Sequence, residues 1–223
     1  IASPIILADV ALLDAELTVG LPAAITAATG VDAMVHAIEA YTSTNANNNP
    51  ISKILAVEAL DLLGANIREA VSNGSNIEAR GNMLLGSMLA GQAFANAPVA
   101  AVHALAYPIG SLFHVPHGLS NALVLAEVMR FNVPGCGQAY AELAPHVFPD
   151  IDMDRSVNKI CDDFVARLVQ LNIDLGLESG LRHVGITEAD LDRLSTDAMN
   201  QTRLLVNNPR EVTKQDARRI YEA

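Results

Sequence analysis

A chain of 223 residues that is 51% hydrophobic and only 17% charged has the means to bury a sizeable core, which excludes a disordered chain. Its formal charge of −11, with the few Lys and Arg scattered, argues against nucleic acid as a partner, because phosphate binding needs clustered cations. Two cysteines, Cys136 and Cys161, form no CxxC pair, and no signal-peptide pattern opens the chain, so a reducing cytoplasm is the expected compartment.

In chain order, the run Ile5-Ile6-Leu7 reads as a strand or crossing segment bounded by Pro4 and Asp9, with no partner strand later in the chain. From Leu21-Pro22 the pattern is helical. A first helix is predicted to about Ser43, with Gly30 as a candidate break, and "STNANNNP" (43–50) is a polar linker. A helix over 51–72 carries the apolar stripe Ile54, Val57, Ala59, Leu60 and Leu63. Another over 76–96 turns Met83, Leu84, Met88 and Leu89 inward. Pro98 is expected to start a helix holding His103 that stops before Pro108 or Gly110.

"VPHG" (115–118) leads into a helix to about Asn132, "VPGCGQ" (133–138) reads as a turn, and helices are predicted near 138–146, 155–173, 187–206 and 213–222. Thr187 with Asp190, and Thr213 with Asp216, have capping-box spacing. The predicted class is all-α. Neither a GxGxxG after a strand nor a Walker loop is present, so nothing here builds a nucleotide-binding sheet.

No Asp, Glu, Lys or Arg occurs between Arg80 and Glu127. Interruption by Asn82, Gln92, Asn96, Pro98, His103, Pro108, His114, Pro116 and His117 speaks for buried helices of a soluble core, not a membrane span.

The chemistry concentrates in two places. In "TGVDAMVHAIEAY" (29–41), Asp32 and His36 lie four apart, about 40° apart around a helix and about 6 Å along it, so both point the same way from an apolar run. A buried Asp–His hydrogen bond between helices and a metal-binding pair explain them equally well. The charge-free stretch shifts that balance by adding His103, His114 and His117, which would be costly there without a partner. His117 opens a helix, whose N-terminus disfavours the protonated ring and keeps it fit to bind a metal. One carboxylate and three imidazoles suit Fe2+ or Zn2+ better than Mg2+ or Ca2+. Spacing alone does not separate His117 from His114, for which a second-layer or cap role is the alternative to ligation. His146 and His183 sit in polar surroundings and read as surface residues.

"LPAAITAATGVDAMVHAIEAYTS" and "AGQAFANAPVAAVHALAYPIGSLFHVPHGLSNALVL" resemble the two signature segments of the iron-containing (group III) alcohol dehydrogenase family, and "NPISKILAVEAL" and "NNPREVT" resemble further family stretches. The resemblance covers nearly the whole chain. It implies a two-domain enzyme whose N-terminal α/β domain binds NAD or NADP and whose C-terminal helical domain, of the dehydroquinate synthase-like kind, binds the metal. Only the second is resembled here, with residues 1–20 as the segment crossing between domains and 21–223 as the helical metal-binding domain. The implied ligands are Asp32, His36, His103 and His117, which leaves His114 outside the set.

Many family members carry HxxxH where this chain has His103 and Tyr107. That second His is placed near the nicotinamide and in proton relay. A phenol, which in water loses its proton only near about pH 10, relays protons poorly near neutrality but donates a hydrogen bond. Tyr107 is therefore the catalytic candidate, with packing as its other explanation. Phe94 matches a position lining the substrate and nicotinamide pocket, with plain core as its alternative. Glu39, one turn beyond His36, is either an acceptor for a ligand imidazole or, more simply, a helix-surface carboxylate.

The implied activity is interconversion of a small alcohol with its carbonyl compound, by an enzyme that forms homodimers. The helical part alone is not expected to transfer hydride. A maleylacetate reductase-like carbonyl reductase and a stand-alone helical metal-binding domain are the alternatives. Relatives of the glycerol dehydrogenase and dehydroquinate synthase kinds use three metal ligands, and the fourth ligand here argues against them.

Overall fold

The computed structural model describes residues 8–223, so the strand expected at Ile5–Leu7 lies outside the described residues. Those residues form helices and no strand: α1 Ala23–Thr42, α2 Pro50–Ser72, α3 Ile77–Asn96, α4 Ala101–Phe113, α5 His117–Val147, α6 Val157–Asp174, α7 Leu191–Met199, α8 Thr202–Leu205 and α9 Lys214–Glu222. Single 3-10 turns at Ala15–Thr18, Leu181–Val184 and Glu188–Asp190 join them. The all-α expectation holds. No described helix is long and apolar enough to cross a membrane. The charge-free stretch instead supplies most of α3, all of α4 and the start of α5, within the core.

α1 is the central helix. It packs on α2, α3 and α5, while α4 lies against α5 and α7, and α6 against α5. Its residues from Thr26 to Ala40 are buried on nearly every side, apart from Thr29 and the half-buried Asp32 and His36. Gly30 does not break it. A Cβ there would meet Met83 Cε at 2.8 Å and Ile67 Cδ1 at 2.9 Å, so the glycine serves close approach of α2 and α3.

Local chemistry sets several helix starts. Asn49 accepts from Ile51 N and Ser52 N, Ser52 Oγ accepts from Asn49 N, and Pro50 needs no donor in the first turn of α2. Thr213 and Asp216 form the expected box at α9. Thr187 and Asp190 form theirs ahead of a 3-10 turn, and the single helix expected over 187–206 is split into α7 and α8. On α2, Leu60 and Leu63 are buried as expected, but Ile54 is 67% exposed. On α3 the fully buried face is made of Ala79, Arg80, Gly86, Ala90 and Ala93, while Met83, Leu84 and Leu89 are only half-buried.

α4 departs most from expectation. It begins at Ala101, not Pro98, and runs through Pro108 and Gly110 to Phe113. Burial of Val102 to Ala106, Pro108 and Ile109 outweighs the one hydrogen bond that proline forgoes. α5 continues past Asn132, and the turn expected at 133–138 is a kink at Cys136 (φ −145°, ψ 25°).

Candidate metal centre

Four side chains from three helices meet at one point. Asp32 and His36 project from one face of α1, His103 comes from the first turn of α4, and His117 is the first residue of α5. One donor atom from each lies within 4.8 Å of every other. Asp32 Oδ1 is 3.8 Å from His103 Nε2 and 3.7 Å from His117 Nε2. His103 is buried, Asp32 and His36 are half-buried, and the exposed His117 forms the rim.

Two features of the backbone bring His117 to α1. α4 ends on His114, whose left-handed conformation (φ 57°, ψ 25°) reverses the chain into α5. His114 is therefore the cap residue, exposed and outside the cluster. Gly118 then passes so close to α1 that a Cβ would lie 2.3 Å from Ala28 O and 3.3 Å from Asp32 Cβ.

Glu39 is no surface carboxylate. It is 4% exposed, and its oxygens accept from Ala100 N (3.0 Å), Val102 N (2.6 Å) and His103 Nδ1 (2.7 Å). The backbone bonds cap α4 from another helix and set negative charge at its N-terminus. The third fixes His103 as the Nδ1–H tautomer, leaving the Nε2 lone pair toward the cluster.

Burial pushes the His36 pKa down to about 4, together with repulsion from His103 and His117. The Asp32 and Glu39 charges oppose the drop without cancelling it. His36 is thus neutral at pH 7, as ligation requires.

Phe94 stacks on His36 with ring centroids 4.7 Å apart and an interplanar angle of 27°. His103 also stacks on His36, at 4.7 Å and 23°. Tyr107 stands edge-on to His103 at 6.4 Å and 5.8 Å from the His117 ring. A cleft of about 390 Å³ opens beside Tyr107, bordered by Pro108, Ser111, Asp197, Asn200 and Gln201. Neither that cleft nor a second, of about 410 Å³ beside α5 and α6, is lined by any of the four candidate ligands. His146 pairs with Asp61 at 3.0 Å and His183 is exposed, both as expected.

The sequence alone does not single out Asn121. It is fully buried, donates from Nδ2 to Asp32 Oδ1 (2.6 Å), and lies 3.2 Å from His117 Nε2 and 3.3 Å from His103 Nε2. Its Oδ1 is buried without a hydrogen-bond partner. Its position one turn after His117 is the signal that points to it.

The donor set fits a divalent transition metal. One carboxylate oxygen and three imidazole nitrogens, two of them in shielded positions, match the preferences of iron and zinc and fall short of the all-oxygen shell of calcium or magnesium.

Residues 26–223 match the C-terminal model of the Fe-containing alcohol dehydrogenase family. The chain is 44% identical over 220 residues to the long-chain-alcohol dehydrogenase 1 of Geobacillus thermodenitrificans, across 98% of this chain and 54% of that protein. It is 38% identical over 215 residues to the 1,3-propanediol dehydrogenase of Klebsiella pneumoniae, across 96% and 54% respectively. The crystal structure of a 1,3-propanediol oxidoreductase superposes with a TM-score of 0.89 at 36% identity, over 94% of this chain and 54% of that one. The chain thus spans about half the length of the relatives it matches.

Proposed function

The chain belongs to the Fe-containing alcohol dehydrogenase family, and from that premise we propose that it is the metal-binding part of an NAD(P)-dependent oxidoreductase that interconverts a small alcohol with its aldehyde or ketone. The observation that carries this proposal is the convergence of Asp32, His36, His103 and His117 within 4.8 Å. Fe2+, or Zn2+ in its place, is the ion these residues would hold. When bound, the ion supplies Lewis acidity toward an alcohol or carbonyl oxygen, and the dinucleotide supplies the hydride acceptor or donor.

The chain's own residues do the rest. Glu39 holds the His103 ring in the ligating tautomer. Phe94, against His36, walls the pocket on the nicotinamide side and excludes water. Tyr107, between the His117 rim and the open cleft, offers its Oη–H to the substrate oxygen. The dinucleotide-binding part of the activity we assign to the half of the relatives' length that this chain does not span. Val10, Leu12 and Leu17, more than 80% exposed ahead of α1, are apolar surface that such a second part would cover.

The test is an alcohol oxidation assay, with NAD and NADP, of this chain joined to the nucleotide-binding part assigned above, before and after metal stripping and after return of Fe2+ or Zn2+. Activity should vanish on stripping and come back with one of the two ions. Activity that survives removal of all metal would overturn the proposal.

A further inference from the structure

Glu39 orients one of the four ligands and touches neither Asp32 nor His117. Those two need another device, and Asn121 is placed to be it. It lies one turn after His117 on the same face of α5. Its Nδ2 is 2.6 Å from Asp32 Oδ1, the same oxygen that faces His103 and His117. It is also 3.2 Å from His117 Nε2, and it is the hydrogen-bond partner the His117 ring has among the described residues.

We propose that Asn121 is a positioning residue that sets both Asp32 and His117 toward the metal, a role that rests on the metal centre proposed above. A primary amide has two N–H groups. One, donated to Asp32, fixes which carboxylate oxygen is turned inward. The other lies toward His117 Nε2, which has its single lone pair there only in the neutral Nδ1–H tautomer; that lone pair goes to the ion when one binds, and the amide's bond to Asp32 stays. The amide therefore selects for His117 the tautomer that Glu39 selects for His103.

Fold stability does not account for this residue. Asn121 is fully buried and its Oδ1 has no donor, so a leucine of similar shape would serve the core better. An amide kept at a net cost to the core indicates a task at the cluster.

The test compares wild type with Asn121→Leu and Asn121→Ala, using metal-stripped protein titrated with Co2+ in competition with a chelator. Thermal unfolding of the stripped proteins is followed in parallel. Co2+ affinity should fall about 10- to 100-fold in both variants, the usual effect of removing a residue that orients metal ligands. The stripped Asn121→Leu protein should melt no lower than wild type. The visible spectrum of its Co2+ form should shift, because the ligating carboxylate is no longer held.

Equal Co2+ affinity in wild type and both variants would overturn the role of Asn121 while leaving the metal centre standing. So would affinity losses that merely track a drop in melting temperature. Failure of the wild type itself to bind Co2+ would overturn the metal centre, and the role of Asn121 with it.

Discussion

Glu39 has three bonds to two different ends: the backbone of α4 and the ring of His103. Replacing it with glutamine turns one acceptor into a donor facing an N–H, so Glu39→Gln is expected to cost about 1–3 kcal/mol in a denaturant titration and to lower metal content as well. Loss of stability with full metal content would detach the cap from the ligand-holding role. Tyr107 is a separate matter, since no helix start depends on it. With the nucleotide-binding part present, Tyr107→Phe should keep the ion and lower kcat/KM about tenfold, the value of one hydrogen bond to the reacting oxygen. Unchanged kinetics would reduce Tyr107 to packing. The four ligand types are legible in the sequence because Asp32 and His36 have helical spacing and the other histidines stand in an uncharged stretch. Choosing His117 over His114 takes the family resemblance, and the left-handed turn at His114 is the structural reason. Glu39 is legible as an acceptor for a ligand imidazole, but not which ring it holds nor its cap on α4, since those partners lie 61 to 64 residues away; Asn121 shows only its spacing from His117, its bond to Asp32 spanning 89 residues.

At the scale of elements, the site is a crossing of α1 with α5, made close by Gly118. Ala28 O would sit 2.3 Å from an added Cβ, and a backbone carbonyl in a buried helix has nowhere to go. Gly118→Ala should therefore push the helices apart, destabilise the protein by about 1–3 kcal/mol or more, and weaken metal binding by moving His117. A variant with wild-type stability and metal content would contradict this packing. The helices through α3 match the sequence pattern in number and order. Pattern and structure part where tertiary contacts outvote local signals. Proline argues for an early end to α4, yet burial carries the helix through Pro108. The glycines and proline of 133–138 argue for a turn, yet both halves stay packed and only Cys136 leaves helical geometry. The start of α4 is hidden from local reading because its cap comes from α1 and not from its own flanking residues.

Over the whole molecule, the core and the site are one construction. The most apolar part of the chain is also the part that carries two of the four candidate ligands, and the central helix carries the other two. This arrangement shields the cluster on the core side and leaves the exposed His117 and the half-buried Tyr107 on its outer side. The central claim is that one divalent ion is held by all four side chains together. The most direct measurement is anomalous X-ray diffraction from crystals grown with Fe2+ or Zn2+, recorded on both sides of the metal absorption edge. A single anomalous peak is predicted, about 2.0–2.3 Å from Asp32 Oδ1 and the three imidazole nitrogens. A peak elsewhere on the chain, or none at a metal concentration that saturates binding in solution, would contradict the claim.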